Sequence, residues 1–175
     1  MKKLLILGIL LLLPLRVFAE SKEKEYHIVT KVIDGMTLEL DGKETIRLIG
    51  ASTPSASSSN PMIQQWAEKS KEFTKTLLDG RQVWLEYGKD KQDKEGNTWA
   101  FVFFSAGLRE MQPLIDRSFI PFWGTAGNFM LNRLLVQFGY ATVKSPFSFQ
   151  YRSQFMDLEK RARQKEYGMW QNLKY

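Results

Sequence analysis

The 175-residue chain predicts an α+β fold, a five-stranded β-barrel with about three α-helices packed against it. Three observations carry this. Between residues 28 and 54 two tight-turn pairs, Asp34-Gly35 and Asp41-Gly42, separate three short runs rich in Val, Ile, Thr and Leu, the pattern of a strand meander. Two further apolar runs, at residues 82–87 and 98–104, read as strands. Three segments place apolar residues at helical spacing ahead of a glycine.

Taken in order, the chain opens with Met1-Lys2-Lys3, an apolar run over residues 4–15, and Val17-Phe18-Ala19. These are the basic, apolar and small-residue parts of a secretory signal peptide, with cleavage expected after Ala19. Residues 1–19 are then a leader and residues 20–175 the domain. A retained anchor is the alternative, but a span needs about 20 apolar residues, and Pro14 and Arg16 cut this run short. The expectation is an exported protein, periplasmic or secreted, with no transmembrane span once the leader is removed.

Residues 20–25 form a charged lead-in, the meander runs to about residue 51, and residues 52–61 read as a loop because they carry Ser57-Ser58-Ser59 and two prolines. A helix is predicted over residues 62–78, with Ile63, Trp66, Ala67, Ser70, Phe73, Thr74, Leu77 and Leu78 facing the core and Gly80 in the C-terminal cap position. The strand at 82–87 and the strand at 98–104 are joined by the polar stretch 88–97. With the meander they supply the five strands an OB-type barrel needs to close and remove its edges. A second helix is predicted over 128–138, ending at Gly139, and a third over 151–167, with Tyr151, Phe155, Leu158 and Ala162 on its buried stripe and Gly168 at its end. Trp170 is expected to fold back onto the barrel.

The formal charge of +6 falls to +3 when Lys2, Lys3 and Arg16 leave with the leader. A surplus that small does not by itself argue for a polyanionic partner. The chain has no cysteine, so an exported domain must draw its stability from its core rather than from disulfides.

The residues also carry a family resemblance. Val32-Ile33-Asp34-Gly35-Met36-Thr37, Ile46-Arg47-Leu48-Ile49-Gly50 and Thr53-Pro54 resemble the opening of the staphylococcal-nuclease, or thermonuclease-like, domain. Later segments agree in order: Asp93-Lys94-Glu95-Gly96, Ala100-Phe101-Val102-Phe103, Leu131-Asn132-Arg133-Leu134-Leu135-Val136, Gly139-Tyr140-Ala141 and Gly168-Met169-Trp170. The resemblance implies an OB-type barrel and the calcium-dependent hydrolysis of DNA and RNA phosphodiesters. Against it, residues 105–127 form an insertion where the family has a short hairpin turn. Leu114, Ile115, Phe119, Ile120, Phe122 and Trp123 make that insertion apolar enough to pack on its own domain or to present an aromatic surface to a partner.

At the positions that do the family's chemistry the sequence departs from the pattern. Met36 and Ser52 stand where the resemblance places calcium carboxylates, Ser55 where it places the glutamate that activates water, and Asn97 where it places one of two phosphate-binding arginines. Arg47 keeps the other arginine position, as a phosphate contact or as a strand arginine bonded to a neighbour. Asp34, an outer-shell position, and the backbone carbonyl of Thr53 are what remains of the metal site. Calcium takes six to eight hard oxygens, and neither a thioether nor a neutral hydroxyl replaces a carboxylate. The single histidine, His27, precedes the loop and reads as a packed or surface residue. Glu39, Asp41, Asp90, Asp93, Glu110 and Asp116 are carboxylates a rearranged site could recruit, and nothing in their spacing singles out a pair. Lys94 and Phe147 match positions that grip nucleotide in the family, and Lys160, Arg161, Arg163 and Lys165 give the last helix a basic face.

Three readings follow. The first is an exported, catalytically degenerate domain that binds single-stranded nucleic acid, another polyanion or a partner without hydrolysis, and needs no cofactor. The second is an active metal-dependent nuclease with a rearranged site, the one case in which Ca2+ is required. The third is a cell-envelope interaction module that uses Phe119, Phe122 and Trp123 for contact.

Overall fold

A computed structural model describes residues 24–92, 96–107, 111 and 127–172. The leader expected over residues 1–19, Lys94 and the aromatic residues 119–123 lie outside them. In chain order the elements are β1 (Tyr26–Asp34), β2 (Thr37–Leu40), β3 (Glu44–Leu48), β4 (Ala51–Ser52), α1 (Pro61–Leu78), β5 (Gln82–Gln92), β6 (Thr98–Ala106), β7 (Gly127–Met130), α2 (Leu131–Gln137), β8 (Thr142–Val143), α3 (Arg152–Gln164) and a 3-10 helix (Gly168–Asn172).

The meander of β1, β2 and β3 is antiparallel, β5 pairs with β1 and β6, and β6 returns to β3 in parallel register. Five strands therefore close into a barrel, and β7 extends it along one edge of β6. Strand alternation turns Leu38, Leu40, Ile46, Leu48, Val83, Val102 and Phe104 inward, and all seven are fully buried. Full burial of each such side chain contributes about 1.5–3 kcal/mol relative to exposure, which is how a cysteine-free chain holds together.

Helix α1 starts one residue earlier than the spacing suggests. Asn60 caps it, its Oδ1 accepting from the Met62 amide at 2.9 Å, and Pro61 takes the first helical position. Its buried face is the predicted one except at Ile63, which is 40% exposed in the first turn. Phe73 stacks on Tyr140 with centroids 4.4 Å apart, which fixes α1 against the end of α2. Residues 128–130, expected to be helical, instead run as β7 along β6, because that edge of β6 is open beyond its pairing with β3. The outer face of β6 is covered by α3, where Phe101 meets Tyr151 and Phe155 edge-on.

Helix α3 ends at Gln164, short of the predicted residue 167. Beyond it the chain returns to the end of α2. Gly139 and Gly168 both have positive φ, and a Cβ on either would overlap the other's segment, so two backbones touch there, joined by the Met169 amide donating to the Gly139 carbonyl at 2.9 Å. Trp170 does not return to the barrel. It packs with Trp66, Ala162 and Met169 between α1 and α3, under the guanidinium of Arg163 at 3.7 Å.

The insertion leaves from a hairpin base, Ala106 paired with Gly127. Between Gly107 and Gly127 the one described residue is Met111, which is 2% exposed and belongs to the main core. No helix among the described residues is long and apolar enough to cross a membrane.

The seam where β6 changes partners is closed by a side chain. Between its pairing with β3, which ends at Ala100, and with β7, which begins at Phe103, the buried Asn132 accepts from the Val102 amide at 2.9 Å. Its amide nitrogen donates to the carbonyls of Ile49 at 2.9 Å and Ala100 at 3.1 Å. Asn132→Ala should destabilise the domain by on the order of 3 kcal/mol, because it strands buried backbone groups. Asn132→Asp should be worse near neutral pH and partly recover in acid, since an ionised carboxylate faces two carbonyls and its protonated form can donate to one. Chemical denaturation of both variants across pH checks this.

Candidate functional site

The β1–β2 turn anchors the site. Asp34 Oδ1 accepts from the Met36 amide at 2.8 Å, closing a local turn of the type aspartate favours. Gly35 is pressed so closely between α1 and the loop after β4 that a Cβ there would lie 2.8 Å from Ser70 Cβ and 2.8 Å from Thr53 Cγ2. The Gly35 carbonyl accepts from Thr74 Oγ1 at 2.8 Å, and the Met36 carbonyl accepts from the Leu48 amide at 3.0 Å. Three elements thus hold the turn, and Thr53 lies against it.

Arg47 stands on β3 on the outside of the barrel, opposite Thr37 on β2 and beside Trp99 on β6. Phe147 meets Trp99 edge-on at 5.7 Å. Asn97 immediately precedes β6, one residue before Thr98, which pairs with Ile46. Arg47, Asn97, Trp99 and Phe147 are therefore gathered about one seam of the barrel, next to the Asp34–Met36 turn. Lys94 lies outside the described residues. The seam also holds a carboxylate that sequence reasoning missed: Glu44 Oε1 accepts from the buried Thr98 hydroxyl at 2.7 Å. Only the strand register, not a motif, could have found it.

The donors among the described residues do not fit calcium. Met36 is half-buried with its side chain packed against the main core, so the position that would carry a carboxylate is occupied by apolar packing. One oxygen of Asp34 is already used by the turn. Ser52 sits in the β4–β8 pair, where its carbonyl accepts from Thr142 Oγ1 at 3.3 Å. Among the described residues no group of three or more His, Cys, Asp or Glu could hold a metal ion.

Nor does Ser55 have a base. Its hydroxyl lies 2.8 Å from that of Ser57 and accepts from the Ser57 amide at 3.2 Å, both within an exposed turn. His27 is at the opposite end of β1 from Asp34, seven residues or about 23 Å along the strand, and its Nδ1 is 2.8 Å from Asp41 Oδ2. Two of the spare carboxylates are engaged in the sheet: Glu39 accepts from Thr30 Oγ1 at 3.0 Å, and Asp41 from the Ile28 amide at 2.8 Å. Asp93, Glu110 and Asp116 lie outside the described residues, as does the side chain of Asp90. What the described residues offer a phosphodiester here is one arginine, one amide and an aromatic wall, and none of these is a positioned nucleophile or base.

Two outcomes test this geometry. Gly35→Ala should cost about 1–3 kcal/mol, because the added methyl meets backbone-fixed atoms of α1, read as a lower denaturant midpoint. Asp41, held below the ordinary carboxylate range first by the Ile28 amide and then by His27, contributes stability while ionised. That contribution is present above the unfolded-state value and is lost as pH falls through the lowered folded-state value. Asp41→Asn should therefore flatten the acid limb of the stability profile, measured by urea unfolding.

Comparison with known proteins adds the following. Residues 45–172 match the family model described as staphylococcal nuclease homologue. A thermonuclease of Staphylococcus intermedius is 30% identical over 151 residues, covering 84% of this chain and 77% of its own length. A thermonuclease of Staphylococcus hyicus is 28% identical over 159 residues, covering 88% and 80%. An uncharacterized protein of Methanocaldococcus jannaschii is 26% identical over 174 residues, covering 87% and 75%.

Proposed function

The chain belongs to the staphylococcal nuclease homologue family, and from that membership we propose a catalytically degenerate, exported thermonuclease-like domain that binds single-stranded nucleic acid without hydrolysing it. The observation that carries this reading is the Met36 side chain, packed on the core where the family resemblance calls for a metal carboxylate. Ser52, Ser55 and Asn97 extend the same loss to the second carboxylate, the water-activating glutamate and one arginine. Losing a single charge-stabilising donor of this kind costs on the order of a hundredfold in rate, and four positions have changed. Binding outlasts such losses, because a barrel rim that keeps Arg47 beside Trp99 and Phe147 still offers one charge and a stacking surface.

Export rests on the first nineteen residues, and the mass of the protein secreted or released from the envelope should begin at Glu20. The interaction-module alternative rests on Phe119, Phe122 and Trp123, which lie outside the described residues.

The test is incubation of the mature protein with heat-denatured DNA and RNA in calcium, magnesium, manganese or chelator. No cleavage in any condition is expected, with retained binding in chelator. Metal-dependent cleavage that vanishes in Arg47→Ala would overturn the reading in favour of an active nuclease with a rearranged site.

A further inference from the structure

A cavity of about 670 Å3 opens on the outer face of the sheet, between β5, β6, β7 and the start of α3. None of the residues gathered around Arg47 lines it. Along β6 it lies four residues beyond Trp99, about 13 Å, and Phe101 intervenes, buried beneath Tyr151 and Phe155. The size falls within the range of small-ligand sites.

Its walls combine two chemistries. Trp84 and Phe103 are cross-strand partners with ring centroids 5.6 Å apart and planes within 13°, and Tyr151 also lines the space, whereas the ring of Phe129 packs on inward-facing Phe104. Two cations, Lys24 and Arg133, reach it, and Lys24 Nζ lies 3.9 Å from the Trp84 ring centroid. Glu86 is the only carboxylate among the described lining residues, and both its oxygens accept hydrogen bonds, one from the Gln150 amide and one from the Tyr151 hydroxyl at 3.2 Å. The described lining thus combines aromatic surface with two cations and one carboxylate.

We propose that this cavity is a nucleotide subsite separate from the Arg47 seam, taking one base of a single-stranded nucleic acid among Trp84, Phe103 and Tyr151 and its phosphate on Arg133. The inference rests on the nucleic-acid reading above and adds a second point of contact to it. Arg133 is half-buried, and burial together with the nearby charge of Arg161 pushes its guanidinium below the ordinary value. A phosphate beside Arg133 favours the charged form by attraction of opposite charges. The adjoining depression of about 430 Å3 shares Lys24, Trp84, Leu85 and Glu86 and adds Glu25, His27 and Tyr87. That second carboxylate repels phosphate, so the strand enters from the Arg133 end and the subsite holds a single nucleotide.

The experiment is fluorescence anisotropy of a labelled short oligothymidylate with the mature chain, in chelator and over a range of salt. Trp84→Ala and Arg133→Gln should each weaken binding roughly tenfold, and Arg133→Gln should lower the slope of log affinity against log salt by about 1. Gln154 is an exposed residue of the cavity rim, so Gln154→Glu tests the charge without touching the core. It should weaken binding and Gln154→Lys should tighten it, which decides the matter if Trp84→Ala fails to fold by circular dichroism. Loss of binding in Arg47→Ala with wild-type affinity and salt slope in Arg133→Gln and both Gln154 variants overturns the subsite and leaves the nucleic-acid reading standing. An absence of oligonucleotide binding by the unsubstituted chain overturns both.

Discussion

The structure depends on how one strand serves two partners along the same edge. β6 pairs with β3 to close the barrel and then with β7 to extend the sheet, and backbone groups between those pairings would be buried without partners. Asn132 supplies an acceptor and a donor there at once, which is why an amide rather than an apolar side chain stands in the middle of an otherwise apolar helix face. Through the Ile49 carbonyl the same side chain fixes the corner that leads into β4 and the loop beyond it. The position of Thr53 against the β1–β2 turn is therefore set from the core outward.

The chemistry that such a scaffold can display is a separate matter. The turn at Asp34-Gly35-Met36 is held by the Asp34 carboxylate accepting from the Met36 amide, by hydrogen bonds to the Gly35 and Met36 carbonyls, and by the close approach of Gly35 to α1. None of those contacts involves the side chain at position 36. A carboxylate there can be exchanged for a methionine while the turn keeps its shape, and the thioether then adds apolar contact in place of charge. Fold and activity are separable at this point in the chain, so family membership fixes the barrel and leaves the reaction to the side chains on it.

Most of the architecture was legible because it was written in local signals. Asp-Gly pairs marked the hairpins, periodic apolar residues marked the helices, and Gly80 and Gly139 marked two ends. Where local pattern and tertiary context competed, context won. Residues 128–130 have helical neighbours but meet an open strand edge, and Trp170 finds a closer apolar partner in Trp66 than in the barrel. Asn60-Pro61 was a cap and first-turn signal that a serine-rich approach disguised as loop. At the site, the residue types were readable but their neighbours were not. Glu44 lies 54 residues from Thr98 in sequence, and only the parallel register of β3 and β6 brings them together. The aromatic cavity was invisible for the same reason, since Trp84, Phe103 and Tyr151 come from three elements with no shared motif.

The contact between Gly139 and Gly168 has a consequence for the order of events during synthesis. Barrel strands and α1 are complete long before the ribosome reaches residue 168, yet the end of α2 has no partner for its carbonyl until Met169 arrives. The contact spans fewer residues than the pairing of β3 with β6, and what delays it is only the position of residue 168 near the end of the chain. A nascent chain is therefore held one step short of its final packing until translation is nearly finished.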